Sequence, residues 1–320
     1  MDADSDNPWA RRVVGEATRA RDFHPRTPRG ALRHLALSVL AGSGRLLGRE
    51  RAVASLPRVQ IVLLHHLFDD EVANFTRLLR ALATRYTFVS YSAAAHAARN
   101  GGATRPLLSF SFDDGRRSCL AAARILAEHG AKAAFFICPS IVGERNPEVV
   151  RRFSLDRLHY PATPFLDWAE CEELLRLGHD VGNHTLSHLN LGRVSSEVSR
   201  EEIESAREAI IARLGACEHF AWPYGGVVNF TAEAAAAAIA SGHRSIASAV
   251  RGCHPAARDD QRNPSPAPPS FLCRDHVIAA WPVSHTLHFL ARSARTARHD
   301  AGAWPRAWGP PPPGAPPCGS

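Results

Sequence analysis

The sequence contains no Cys-x-x-Cys pair, although it has seven cysteines. An odd number without close pairs argues against both a disulfide framework and a structural zinc site. Reduced thiols are typical of proteins in a reducing compartment. The first six residues are acidic rather than basic, whereas a secretory signal begins with basic residues that run into an apolar stretch. We therefore expect a cytoplasmic protein.

A long apolar run is also missing. The best candidate, residues 35–47, is interrupted by Gly42, Ser43, Gly44 and Arg45, and it is too short to span a bilayer. We therefore expect no transmembrane segment. An amphipathic surface helix in this stretch remains an alternative, which leaves a peripheral membrane contact open.

Lysine is nearly absent, since Lys132 is the only one among 38 basic residues. The formal net charge is +7 and the pI is about 9.4, a balance that can indicate an anionic partner. The arginines are spread along the chain, however, and no basic run is interleaved with aromatic residues. We therefore expect no nucleic-acid partner.

The chain divides into three parts by composition. Residues 1–57 are rich in Arg, Gly and Pro and predict a partly flexible arm with one helix near 30–47. Residues 58–300 carry the apolar patterns of a folded domain. Residues 301–320 contain four consecutive prolines and predict a disordered tail.

Within the central part, short apolar runs alternate with segments of helical periodicity about seven times. This alternation predicts an α/β domain with a parallel sheet and crossover helices. The predicted strands cover 59–64, 107–112, 132–138, 180–183, 218–222, 244–250 and 271–281. Polar residues follow several of these strands directly. Because the carboxyl ends of parallel strands meet on one face of a barrel, those residues should converge there.

Two of these polar groups have the composition of a metal site. Asp113 and Asp114 follow one predicted strand, and His184 follows another, with His188 four residues later. On a helical turn, residues four apart face the same side. A carboxylate and two imidazoles form the ligand set of a hydrolytic divalent-metal site with open positions. Each histidine alone, among 17, could equally be a surface or core residue.

Three stretches resemble the motifs of a known family. Ser-Phe-Asp-Asp-Gly at 111–115, His-Thr-Leu-Ser-His at 184–188 and Phe-Ala-Trp-Pro-Tyr-Gly at 220–225 are similar to the first three motifs of the polysaccharide deacetylases, the NodB-homology carbohydrate esterases. They occur in the family's order and span roughly 59–250. The resemblance implies a distorted (β/α)7 barrel.

The same resemblance implies roles for individual residues. One divalent metal, zinc or else cobalt, manganese or nickel, would be held by Asp114, His184 and His188. Asp113 would act as the general base, and the backbone N–H of Tyr224 would stabilise the oxyanion. The substrate would be a carbohydrate bound along Pro223, Tyr224 and Gly225.

The chain departs from the family pattern at two points. Where many members have an arginine that orients the base, this chain has Ala221. Arg274 is similar to an arginine near the last strand of a subgroup, where it holds the base, so we include Arg274 among the catalytic residues. The histidine that serves as general acid in many members has no clear counterpart here. The general acid could be His276, His285 or neither.

These observations favour a metal-dependent hydrolase that removes an acetyl group from an amino-sugar-containing glycan or glycan precursor. An N-acetyl group is favoured over an O-acetyl group. A cytoplasmic location favours a lipid-linked or nucleotide-linked precursor. One alternative is an amidohydrolase acting on a cyclic imide or another small amide. Another is a catalytically degraded sugar-binding protein. The sequence leaves the oligomeric state open.

Overall fold

The computed structural model describes residues 16–23, 27–256 and 270–297. Within them the strands form one sheet whose principal neighbours are all parallel. The strands are β1 Arg58–Leu64, β2 Thr87–Phe88, β3 Pro106–Phe112, β4 Ala133–Ile137, β5 Asp180–Asn183, β6 His219–Ala221, β7 Ser245–Ala247, β8 His254–Pro255, β9 Ser270–Leu272 and β10 Asp275–His276.

The sheet is nearly closed into a barrel. Its order is β10-β1-β3-β4-β5-β6-β7-β9, and β9 and β10 belong to the single chain segment 270–276. This segment pairs with β7 through Phe271, opposite Ile246, and with β1 through Asp275, opposite Val62. Seven chain segments therefore surround the barrel, and the predicted distorted (β/α)7 architecture is confirmed.

The last strand is shorter than predicted. The expected strand over 271–281 ends at His276, after an interruption at Cys273 and Arg274. Val277 still donates its backbone N–H to the Leu63 carbonyl at 2.8 Å. The chain then turns, and the next helix starts from Pro282. A proline has no backbone N–H to donate to a neighbouring strand, so the strand does not continue through it.

The strands are apolar on both faces because the barrel is filled inside and covered outside. One cluster of buried residues, including Ile61, Phe136 and Leu272, occupies the interior. Another, including Phe110, Phe112 and Phe135, lies under the helices; the rings of Phe112 and Phe135 stack at 5.0 Å. Burial on two faces explains why apolar residues predominate in these strands.

Ten α-helices occur in the described residues. They are α1 Ala20–Phe23, α2 Pro28–Leu46, α3 Val72–Ala83, α4 Tyr91–Asn100, α5 Cys119–Glu128, α6 Pro147–Phe153, α7 Trp168–Arg176, α8 Ser196–Leu214, α9 Ala232–Ala240 and α10 Val283–Arg295. The long connection 139–164 contains α6 and a π-helical turn, Ser154–Leu158. Of the described helices, none combines the length and hydropathy that a membrane span requires.

Residues that precede the barrel pack against it. Phe23 contacts the rings of Phe68 and Tyr160 at centroid distances of 5.2 and 5.4 Å. Helix α2 contacts α10, where the Ser38 hydroxyl lies 2.9 Å from Nε2 of His285. The predicted helix near 30–47 thus exists. Residues 301–320, for which disorder was predicted, lie outside the described residues.

A buried carboxyl group at the start of α3 predicts a pH-dependent stability. Glu71 is 1% exposed and accepts a hydrogen bond from the Phe68 backbone N–H at 3.0 Å. Burial raises the pKa of Glu71 from 4.5 to about 7, although this hydrogen bond opposes the rise. A raised carboxyl pKa means that the folded state prefers the protonated form. The contribution to stability is therefore fully present below about pH 4.5 and is lost as the pH rises through about 7.

We expect Glu71→Gln to remove this dependence. Relative to the variant, the parent should lose about 3 kcal/mol of unfolding free energy between pH 4.5 and pH 8, as an order of magnitude. Urea unfolding at a series of pH values measures the difference, and Glu172→Gln on the barrel exterior serves as the control. Parallel pH profiles for the parent and Glu71→Gln would contradict the prediction.

Candidate metal centre and active site

A sharp turn after β3 separates the two adjacent carboxylates. Asp113 still follows the sheet, because its N–H donates to the Leu64 carbonyl at 3.1 Å. Asp114 and Gly115 then have φ angles of 73° and 67°, a left-handed conformation that aspartate tolerates better than most residues. The turn packs tightly, since a Cβ on Gly115 would lie 3.1 Å from the Ile137 side chain. As a result, Asp113 and Asp114 reach different partners.

The two motif histidines are brought together by a loop and not by a helical turn. His184 follows β5, and residues 184–195 contain no helix. Thr185 and His188 have φ angles of 65° and 59°, so the chain curls back on itself. The Asn183 side chain supports the curl by accepting from the Thr185 N–H at 2.8 Å. The two rings come together as expected, but the expectation that a helical turn aligns them was wrong.

Both imidazoles present the same ring nitrogen to Asp114. Nδ1 of His184 lies 2.7 Å from the Ala221 carbonyl, and Nδ1 of His188 lies 3.0 Å from the Arg157 carbonyl. A carbonyl oxygen only accepts, so each Nδ1 carries the proton and each Nε2 keeps its lone pair. These Nε2 atoms lie 3.6 and 3.4 Å from Oδ1 of Asp114.

The donor set of Asp114, His184 and His188 fits a divalent metal ion. All three side chains are buried, and their ligand atoms lie within 4.8 Å of one another. Ligating histidines in metal sites characteristically donate their other ring N–H to a backbone carbonyl or carboxylate, which fixes the ring orientation. Two imidazoles and one carboxylate also leave coordination positions for water and substrate.

An arginine that the sequence reasoning missed holds the Asp114 carboxylate. Arg116 is fully buried, and both its Nε and Nη2 lie 3.2 Å from Oδ2 of Asp114. Its Nη1 donates to the Thr163 hydroxyl at 2.9 Å, and its guanidinium lies 5.0 Å from the Phe23 ring. Oδ2 is thus occupied, which leaves Oδ1 toward the imidazoles. The position of Arg116 directly after Asp-Asp-Gly was the only signal of this role in the sequence.

The charge state of Asp114 follows from these contacts. Burial alone would raise the pKa of Asp114. The neighbouring His184 and His188 and the charge of Arg116 outweigh burial and hold that pKa well below its usual value. The carboxylate is therefore ionised at neutral pH, as a metal ligand must be.

Asp113 is paired with Arg274 in a bidentate contact. The two guanidinium Nη atoms donate to the two carboxylate oxygens at 2.7 and 2.8 Å. Arg274 is fully buried, and its Nε donates to the Ser248 carbonyl at 2.6 Å. Burial raises the pKa of Asp113. The charges of Arg274 and the neighbouring His184 lower it by more, so the net pKa lies below the usual value. Arg274 thus contacts the predicted base, while Ala221 contributes a carbonyl to the site.

The Pro223-Tyr224-Gly225 turn lies beside the histidines. The Tyr224 ring meets the His188 ring edge-on at 5.0 Å, and its hydroxyl donates to the Arg157 carbonyl at 2.6 Å. Tyr224 has a φ angle of 62°, and no hydrogen bond of its N–H occurs within the described part of the chain. Gly225 approaches Ala249 instead of an open groove: a Cβ there would lie 2.4 Å from the Ala249 nitrogen.

The two candidate acid histidines occupy different places. His285 is on α10, where it contacts Ser38 and stacks on His34 at 5.5 Å, and its neighbours are not the site carboxylates. His276 ends β10 and meets the ring of His65 edge-on at 4.9 Å. His65 is close enough for the charges of Asp114 and Asp113 to act on its pKa, which burial lowers. His276 is therefore the candidate that borders the site, and His65 joins it there.

Part of this chain is similar in sequence to known proteins. The family model described as polysaccharide deacetylase matches residues 100–244. The chitooligosaccharide deacetylase of Azorhizobium caulinodans is 32% identical over 119 residues, which are 36% of this chain and 46% of that protein. The match thus spans less than half the length of that relative.

Solved structures share the fold at low sequence identity. The deacetylase PplD of Streptococcus pyogenes, solved in complex with acetate, has a TM-score of 0.55 at 17% identity and covers 73% of this chain and 98% of its own. IcaB of Ammonifex degensii has a TM-score of 0.54 at 18% identity, with 75% and 98% covered. The part of this chain that matches the polysaccharide deacetylase family, residues 100–244, contains all three sequence motifs.

Proposed function

We propose that the protein hydrolyses an N-acetyl group on an amino-sugar-containing glycan or glycan precursor, with one divalent metal ion as cofactor. The observation that carries the proposal is the adjacency of two carboxylates in different environments. Asp114 faces two imidazole Nε2 atoms, and Asp113 beside it is held ionised by Arg274. One group suits a metal ligand and the other a base.

The metal, held by Asp114, His184 and His188, would polarise the amide carbonyl and make the attacking water more acidic. Zinc suits this mixed nitrogen and oxygen donor set, and cobalt, manganese or nickel are alternatives. Arg116 prepares the site by fixing one oxygen of Asp114.

Asp113 accepts the proton of the attacking water. Its bidentate pairing with Arg274 fixes the carboxylate plane and keeps it ionised. The same pairing occupies one lone pair of each oxygen and leaves the others for water. A positioned base of this kind contributes about 10²–10⁴ to the rate.

The oxyanion formed by water addition needs a donor. The Tyr224 N–H lies in the turn that follows β6, beside His188, and Gly225 fixes the turn by its contact with Ala249. A preorganised backbone N–H is well suited to this task because it needs no reorganisation during the reaction.

The amine leaves after it gains a proton. His276 borders the site through its contact with His65, and we assign it the proton donation. His285 is too far round the barrel, on the helix that contacts α2, to take this role.

Two observations bear on the substrate and the alternatives. The six cysteines among the described residues are all free, and we propose a cytoplasmic location, which favours a lipid-linked or nucleotide-linked amino sugar. The alternative of a catalytically degraded protein was motivated by Ala221, in place of the usual arginine, and by the open identity of the general acid. Arg274 pairs with Asp113 instead of that arginine.

The test is a substrate panel assayed for acetate release and ring opening. It contains N-acetylglucosamine oligomers, UDP-linked N-acetyl sugars, an O-acetylated sugar and cyclic imides. We expect acetate release from an N-acetyl sugar only. Hydrolysis of an imide without acetate release would replace the proposal with the amidohydrolase alternative.

A further inference from the structure

Helix α2 presents an apolar face to solvent. Its barrel-facing side is formed by His34, Ser38, Ala41 and Gly44, which contact α10 or are buried. The opposite side carries large apolar side chains at helical spacing. They are Leu32, Leu35, Val39 and Leu46, which are 68%, 62%, 63% and 90% exposed. A surface helix normally has the reverse arrangement, with apolar residues toward the core.

The charge on this helix has one sign. No acidic residue occurs between Asp22 and Glu50, and the helix and the turn after it contain arginines. The described ones are Arg29, Arg33, Arg45 and Arg49. Exposed leucines flanked by arginines, without an acid, are typical of helices that lie in the interface of an anionic bilayer.

A cationic cavity of about 250 Å³ adjoins the last turn of α2. Its lining includes the side chains of Arg45, Arg51, Arg58 and Arg85, with Glu50 as the one acid among the lining residues. Arg58 and Arg85 are held by backbone carbonyls, whereas no ion pair of Arg45 or Arg51 occurs in the described ranges. The excess of guanidinium groups matches a phosphate headgroup.

A second copy of the chain is a poor occupant for this face. A symmetric dimer places the same patch against itself, so the arginines of one copy would meet those of the other. A bilayer of anionic lipid offers both the apolar layer and the opposite charge.

We propose that residues 28–51 are a docking site for an anionic lipid surface. The Leu32, Leu35, Val39 and Leu46 side chains enter the acyl-chain boundary, and the cavity at Arg45 and Arg51 accepts a lipid phosphate. The site is separate from the metal ligands, and its test needs no catalytic activity.

The test is co-sedimentation of the full-length protein with vesicles. We expect binding to phosphatidylcholine mixed with phosphatidylglycerol, weaker binding at high salt, and little binding to phosphatidylcholine alone. Leu35→Asp combined with Val39→Asp should lower the partition coefficient at least about tenfold. Replacement of Arg29 or Arg51 by glutamine should lower it about fivefold each.

Matched controls separate lipid docking from other causes. Leu46→Asp and Val228→Asp remove side chains that are 90% and 87% exposed, and only the first should weaken binding. Circular dichroism establishes that each variant is folded. Three results would overturn the proposal: equal binding to neutral and anionic vesicles, equal effects of Leu46→Asp and Val228→Asp, or concentration-dependent dimers that Leu46→Asp abolishes without any vesicle binding.

Discussion

Replacement of Asp113 by asparagine should lower acetate release by about 10²–10⁴ and leave metal binding intact. The amide is isosteric with the carboxylate but cannot accept the proton of the attacking water at neutral pH. The proposed metal donors are on Asp114 and the two histidines, so they keep their own contacts. The experiment measures steady-state acetate release together with metal content by elemental analysis.

A second carboxylate on the barrel provides the control. Asp180 begins β5, the strand that leads to His184, and accepts hydrogen bonds from Ser92 instead of an arginine. Asp180→Asn should retain metal and activity close to the parent. If Asp113→Asn retains parental acetate release, Asp113 is not the base and the mechanism fails at its central step.

Replacement of Arg274 by glutamine should have the largest effect on stability. It leaves Asp113 buried, charged and without its bidentate partner. Removing one member of a buried ion pair costs about 3–5 kcal/mol. Urea unfolding at neutral pH measures this loss. Arg244→Gln, which breaks the exposed pair with Glu218, should cost about 1 kcal/mol or less.

The pH dependence distinguishes a positioning role of Arg274 from a purely structural one. Arg274 lowers the pKa of Asp113, so the paired carboxylate contributes stability above the unfolded-state pKa, and this stability is lost as the pH falls through the lower folded-state pKa. In Arg274→Lys, which keeps the charge without the fork, the pKa of Asp113 should be higher. The acid limb of the pH–activity profile should then move to higher pH. If the acid limb of Arg274→Lys is unchanged while its stability is reduced, Arg274 has only a structural role.

The barrel could be predicted because its physical signals are local. Strands β1, β3 and β4 are buried on both faces, so apolar residues predominate in them. The placement of Asp113, Asp114 and His184 after such runs was enough to predict one converging face. The closure of the barrel was not predictable in the same way, because 270–276 divides its pairing between two neighbours over two or three residues each.

The supporting contacts of the site depend on tertiary structure. The loop that aligns His184 and His188 requires left-handed backbone angles at Thr185 and His188. Threonine and histidine at these positions do not predict such angles. The carbonyls of Arg157 and Ala221 that orient the two rings have no side-chain signal at all. Arg274 was recognised through the family pattern, whereas Arg116 could have been suspected only from its position in the chain.

The most direct test of the central claim measures metal and activity on one preparation. The protein is purified without added metal, and its metal content and acetate release from N-acetyl sugars are determined with and without a chelator. We expect about one divalent ion per chain and chelator-sensitive acetate release that returns with metal. Both should be lost in His188→Ala but not in His96→Ala, which removes an exposed histidine. Acetate release that persists in the metal-free protein or in His188→Ala would contradict the account.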